Sequence, residues 1–190
     1  MIVKPAREDG SIGIQFNAVC DSIKELMERI DSIHARFNSP ALIEEYIEGR
    51  ELYVGVLGNE KPEALPVVEM DLSKLPKGTP KIAGSEVKWD EDTDAYKKTR
   101  SFVPEDIEPE MVQRLQDAAI QAYQALQLRD YGRIDIRLAA DGTLHVLEVN
   151  PNPYLLPSAE FSMAARKSGR SYTELVGAIV DLAMGRYAAT

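Results

Sequence analysis

The sequence predicts an α+β fold of antiparallel sheets with packed helices, and three observations carry that prediction. Hairpin patterns are frequent, the clearest being RIDIRL and TLHVLEV, two alternating runs joined by Asp141-Gly142. Strand and helix patterns follow one another without the strict β-α-β alternation of a parallel doubly wound sheet. Two long stretches, 22–37 and 109–126, repeat their apolar residues with helical period.

The elements follow in order. Ile2-Val3-Lys4-Pro5 reads as the end of a strand entering a loop, AREDGSIG, and the apolar run IGIQF suggests a second hairpin. A strand this short at the start has neighbours before it, so the chain is expected to be a fragment or a truncated product. Ser22 and Glu25 have capping-box spacing, and Ile23, Leu26, Met27, Ile30, Ile33 and Phe37 form one helical stripe. Asn38-Ser39-Pro40 stops that helix. ALIEEYI and ELYVGVLG read as strands around Glu48-Gly49-Arg50, and LPVVEM as a further short strand. Residues 71–104 have no sustained period, and a loop of that length in a compact domain is functional or disordered. Pro109 then opens an amphipathic helix through Met111, Val112, Leu115, Ala118, Ala119, Ala122 and Leu126. After the hairpin, two helices close the chain, the last starting at the capping-box pair Ser171 and Glu174.

Composition narrows the function classes. The chain has 190 residues, 44% hydrophobic and 28% charged, enough for one large domain or two small ones. A formal net charge of -9 disfavours nucleic acid or an anionic membrane as the main partner. No apolar run has membrane-span length and no signal peptide is expected. The lone cysteine, Cys20, excludes an internal disulfide, reads as packing, and suits a reducing cytoplasm.

The hairpin poses a question of charge. A two-residue Asp141-Gly142 turn sets Ala140 opposite Thr143, Asp135 opposite Glu148 and Arg133 opposite Asn150. Like charges directly across a strand pair are destabilising. They are tolerated when one is protonated or a cation lies between them. Asp135, Glu148 and Asn150 make an all-oxygen set that suits Mg²⁺, an ion that completes its shell with water and substrate phosphates. Arg133 adds a cation for a carboxylate or a transferring phosphoryl group. The bland alternative is a solvated polar face, which the rigid NPNP exit weakens. Two further motifs are weak singly. KPAREDGSIG can wrap phosphates with the backbone N–H groups around Gly10, Ser11 and Gly13 while Lys4 neutralises charge; taken alone it reads more readily as a Gly-rich hairpin turn. LIEEYIEGREL can present backbone amides and carboxylates to a nucleoside, or be a charge-protected edge strand.

Taken together, IVKPAREDGSIG, LIEEYIEGRE, EVKW, GRIDIRL and LEVNPNP resemble the ATP-grasp superfamily, in its D-alanine–D-alanine ligase-like branch, over most of the chain. The resemblance implies an ATP-grasp fold whose N-terminal part precedes Ile2. It places a partial first lobe over 1–46 and the second lobe, with the metal-binding hairpin and the closing helices, over 47–190. By the same resemblance Lys4 and Lys88 contact phosphate, and Ser11 with Gly10 and Gly13 forms the mobile phosphate loop. Glu44 receives the adenine amino group, Tyr46 and Ile47 form the hinge against the base, and Glu51 binds ribose. Arg133 serves the transition state, while Asp135, Glu148 and Asn150 ligate Mg²⁺ or Mn²⁺. The implied reaction is ATP-dependent joining of a small-molecule carboxylate to an amine through an acyl phosphate, in the cytoplasm, by an enzyme that often forms a homodimer.

The chain departs from the D-alanine ligases at NPNPYLLPSAEF. Tyr154 stands where that branch has glycine, and Ala159 where it has the serine that holds a substrate carboxylate. A different substrate is therefore expected. The alternative is a non-catalytic ATP-binding regulatory module, and a plain structural α+β domain is a third reading.

Overall fold

A computed structural model describes residues 1–188, which divide into two compact units: residues 1–48 with 71–100, and residues 49–70 with 101 to the end.

In the first unit, β1 (Ile2–Pro5) pairs antiparallel with β2 (Ala41–Glu44), Lys4 lying opposite Leu42 and Ile2 opposite Glu44. Helix α1 (Ile23–Phe37) starts where the capping box predicts: Ser22 Oγ accepts the Glu25 N–H, and the Glu25 carboxylate accepts the Ser22 N–H at 3.2 Å. It ends at Asn38 in the left-handed conformation. Val3, Cys20 and Ile33 form a small core with Leu26, Ile30 and Ala41, so Cys20 is a packing residue.

Two expectations need correction in this unit. IGIQF is no hairpin, because positive φ at Gly10, Ser11 and Gly13 coils the chain into turns that lead to a short 3-10 helix, Phe16–Ala18. Residues 71–104 are not wholly irregular, for α2 (Ser85–Lys88) and α3 (Asp94–Lys98) lie among them, and the short strand Arg100–Phe102 near their end. Neither helix is long enough to show a period in the sequence.

The second unit holds a sheet with strands β3 (Arg50–Leu57), β4 (Glu63–Ala64), β5 (Val68–Asp71), β6 (Arg100–Phe102), β7 (Tyr131–Leu138) and β8 (Leu144–Asn150). Its order is β6-β5-β3-β7-β8, with β4 paired on β3. The predicted strand ALIEEYI thus ends at Glu44, and β2 and β3 are not hairpin partners, since β3 lies between β5 and β7. Helix α4 (Pro109–Ala125) covers one face, where Leu115, Ala119 and Tyr123 pack on Leu52, Val54, Val56, Ile134 and Ile136. The other face is polar, and α5 (Glu160–Lys167) meets it: a Cβ on Gly55 would come within 2.9 Å of the Phe161 ring. Helix α6 (Tyr172–Ala188) follows, with Ser171 Oγ accepting the Glu174 N–H at 3.3 Å.

Candidate functional site

The register of the β7–β8 hairpin sets Asp135 opposite Glu148 and Arg133 opposite Asn150, as the sequence predicts, but by another route. The turn is longer than two residues: Ala139 accepts the Gly142 N–H at 3.0 Å and donates its own N–H to Thr143 at 3.0 Å. Gly142, at φ 82, takes the left-handed position of such a three-residue loop. That slips the register by one, to Leu138 opposite Leu144. A bulge restores it, because Asp135 pairs with Glu148 while Ile136 pairs with Val146, leaving Leu147 extra. The core requires the bulge, since Leu144 and Val149 both pack on it and their odd spacing would otherwise point them to opposite faces.

The polar face is therefore assembled from β3, β7, β8 and α5. Arg133 grips Asp135 at two points, Nε to Oδ1 at 2.7 Å and Nη2 to Oδ2 at 2.8 Å, and its Nη1 lies 3.5 Å from Glu160 Oε2. Ser101 Oγ donates to the same Glu160 carboxylate at 2.8 Å. Burial disfavours the charged Arg133, but Asp135, Tyr53 and Glu160 outweigh it and hold the guanidinium above its ordinary pKa. Asp135 is buried, whereas Glu148 is exposed and accepts Asn150 Nδ2 at 3.1 Å. Two strands inward, Glu51 is buried: it accepts Tyr53 Oη at 2.8 Å and Arg137 Nη2 at 2.7 Å. Burial, followed by the charges of Glu51 and Asp135, raises the Tyr53 phenol well above its usual value.

Among the described residues no three His, Cys, Asp or Glu side chains converge as a metal site. The proposed set differs in kind, two carboxylates and an amide on facing positions, and this all-oxygen chemistry fits Mg²⁺.

The residues of the first unit that the sequence leads one to expect at a nucleotide lie on or near β1, β2, the loop between β1 and α1, and α2. Lys4 Nζ lies 2.5 Å from Glu44 Oε2. A carboxylate carries several acceptor lone pairs, so Glu44 can keep this ion pair and still accept a further donor. Gly10, Ser11 and Gly13 have φ of 57, 63 and 73°, a run in which serine is the residue under strain. Segment 71–100 holds this loop: Ser11 Oγ donates to Ala83 O at 3.1 Å, Trp89 Nε1 to Gly10 O at 2.7 Å, and the Ser85 N–H to Ile14 O at 2.7 Å. Lys88 ends α2, one residue before Trp89. Tyr46 Oη accepts the Lys81 N–H at 3.1 Å, and Ile47 beside it is half-buried.

Arg137, Tyr53 and Glu160 were not singled out from the sequence. Arg137 shares the alternation of Arg133 and Asp135, so its face was legible; Glu160 comes from a distant helix with no such signal.

Comparison with known proteins places the chain in a family. The family model described as "D-ala D-ala ligase C-terminus" matches residues 1–181. A D-alanine–D-alanine ligase of Halalkalibacterium halodurans is 35% identical over 186 residues, covering 97% of this chain and 56% of that protein. The uncharacterized protein y4sG of Sinorhizobium fredii is 34% identical over 187 residues, covering 98% of this chain and 53% of that one. In fold, the D-alanine–D-alanine ligase of Coxiella burnetii superposes with a TM-score of 0.77 at 19% identity, over 99% of this chain and 46% of its own. The chain spans about half the length of the curated relatives it matches. By sequence and by fold, then, the chain belongs to the D-alanine–D-alanine ligase C-terminal family of the ATP-grasp superfamily.

Proposed function

We propose that the protein is an ATP- and Mg²⁺-dependent ligase that joins a carboxylate to an amine, with 1–46 as part of the first ATP-grasp lobe and 47–190 as the second. The observation that carries this reading is the meeting of Arg133, Asp135, Glu148 and Asn150 on one face of the hairpin. Family membership supports it further.

In this reading Glu44 accepts the adenine amino group, Tyr46 and Ile47 line the base, and Lys4, Lys88 and the Gly10-Ser11-Gly13 loop bind phosphates. Glu51 reaches ribose by turning one oxygen out of its network with Tyr53 and Arg137. Asp135, Glu148 and Asn150 would hold Mg²⁺ or Mn²⁺, which supplies charge neutralisation between the nucleotide's phosphates. A substrate carboxylate oxygen attacks the γ-phosphorus and the β–γ bond breaks, giving an acyl phosphate and ADP. Arg133 stabilises the charge that builds on the transferring group. The amine then attacks the acyl carbon, loses a proton and expels inorganic phosphate, leaving an amide. Tyr154 and Ala159 support a substrate pair other than two D-alanines. The protein acts on small molecules in the cytoplasm, as a homodimer.

Phosphate release by the full-length protein, screened across carboxylate and amine pairs with Mg²⁺-ATP, tests this. Release that depends on both partners is expected. Nucleotide binding without release from any pair would favour the regulatory module, and neither binding nor release would end both readings.

A further inference from the structure

Helix α1 places a buried arginine at the base of the loop between β1 and the 3-10 turn. Arg29 is only 4% exposed. Its Nε donates to the Val3 carbonyl at 3.5 Å, and its Nη2 donates to the Gly13 carbonyl. These carbonyls mark the two ends of the loop: Val3 precedes Lys4, and Gly13 closes the run that starts at Gly10. Gly13 is held tightly on its other sides. Its φ is 73°, and a Cβ there would lie 2.6 Å from Pro5 Cγ and 2.8 Å from Phe37 Cζ.

The charge of Arg29 is not answered locally. Its Nη1 is buried and donates to nothing. None of the ion pairs among the described residues includes it. Burial is the first cause of its lowered pKa, with Cys20 and then Glu86 opposing and Arg36 adding to it. Buried charges are ordinarily paired, because desolvating one alone is expensive. A helix that needed only to cover β1 would do better with an apolar residue here. An uncompensated guanidinium fastened to both ends of a glycine loop fits a loop that receives an anion.

We propose that Arg29 is the positioning residue of the phosphate loop: it ties the loop's two ends together through the Val3 and Gly13 carbonyls and supplies positive charge at its base for nucleotide phosphates. The inference rests on the reading of residues 4–13 as that loop. It names a residue with no direct contact to the reacting atoms, one that acts through the backbone it holds.

Two variants of the full chain test it, Arg29→Met and Arg29→Lys, with Mg²⁺-ADP and uncharged adenosine as probes in calorimetry. Hydrogen exchange of the Ile12 and Ile14 amides reads the loop, since both bond within it, to Asp9 O at 2.9 Å and Ser11 O at 3.0 Å. Trp89, the only tryptophan, reads the loop tip by fluorescence through its bond to Gly10. In Arg29→Met the Ile12 and Ile14 amides should exchange about tenfold faster, or more, while Ile134 and Ile136 in the second unit stay unchanged. Mg²⁺-ADP affinity should fall about tenfold and adenosine affinity should hold. Arg29→Lys keeps the charge but reaches one carbonyl, so its losses should be intermediate; it carries the test if Arg29→Met does not fold.

Folded variants with wild-type loop exchange and wild-type Mg²⁺-ADP affinity would overturn the proposal. So would equal losses for ADP and adenosine, which would make Arg29 structural only. Wild-type protein that binds neither probe would instead sink the nucleotide reading itself, and this inference with it.

Discussion

Arg133 and Asp135, neighbours on the same face of β7, hold each other in a two-point ion pair at 2.7 and 2.8 Å. The transition-state cation and the central metal ligand of the proposed mechanism thus neutralise one another. Because Asp135 is 3% exposed, removing its partner leaves a buried, unpaired carboxylate. Arg133→Met should therefore destabilise the protein by about 3–5 kcal/mol. Millimolar Mg²⁺ or Mn²⁺ should recover part of the lost Tm in that variant and shift the wild type little. Thermal unfolding by circular dichroism, with and without the cation, reads both effects; a variant whose Tm ignores the cation contradicts the metal assignment.

Lys4 and Glu44 form the matching pair in the first unit, but a more exposed one, with side chains 20% and 39% accessible. Such pairs contribute about 0–1 kcal/mol to stability. Glu44→Gln should leave Tm nearly unchanged and still weaken ATP binding by about tenfold, since the amide offers the adenine amino group a poorer acceptor. Calorimetry on the folded variant measures it. Unaltered affinity would remove Glu44 from the adenine site.

The Arg137–Glu51 pair lies deeper, with side chains 4% and 8% accessible, and Tyr53 completes it. Arg137→Met should cost about 3–5 kcal/mol by stranding the carboxylate. Adding Glu51→Leu should return much of that loss, because no buried charge then remains. A double-mutant cycle by urea unfolding gives the coupling; strictly additive losses would mean that the two side chains act independently.

Alkaline pH probes the core beneath the sheet. Burial, then the charge of Asp130, pushes the Tyr123 phenol up to about 12, and its Oη donates to Gly58 O at 2.8 Å. The unfolded value is about 10. A raised folded pKa means the stabilisation is complete below about pH 10 and is lost as pH rises through the folded value. Tyr123→Phe should lower stability at neutral pH by about 1 kcal/mol and flatten the decline at alkaline pH. Urea midpoints across that range decide it; an equally steep decline in the variant would exclude Tyr123 as its source.

Much of this arrangement was legible in residue order because local chemistry wrote it. Ser22 and Glu25 set the start of α1, and the alternation in RIDIRL set the face shared by Arg133, Asp135 and Arg137. The facing of Asp135 and Glu148 was read correctly although the turn was not, since the longer loop and the Leu147 bulge shift the register in opposite directions. Leu144 and Val149, both apolar at odd spacing, were the only local sign of that bulge. What could not be read were contacts between distant segments: Trp89 and Ala83 on the loop at Gly10 and Ser11, and Glu160 beside Arg133. Arg29 was hidden for another reason. Between Glu28 and Ile30 it has the look of a solvated helix position, and only the folded backbone brings Val3 and Gly13 to it.

The measurement that tests the central claim most directly is thermal unfolding of the wild type and Glu148→Ala with saturating ATP, Mg²⁺, both, or both plus EDTA. At a ligand concentration of about 100 times Kd, binding should stabilise the wild type by about 2.7 kcal/mol. The shift should require ATP and Mg²⁺ together, vanish with EDTA and be absent in Glu148→Ala. No shift in the wild type, or an equal shift in Glu148→Ala, would contradict an ATP-grasp ligase site built on Asp135, Glu148 and Asn150.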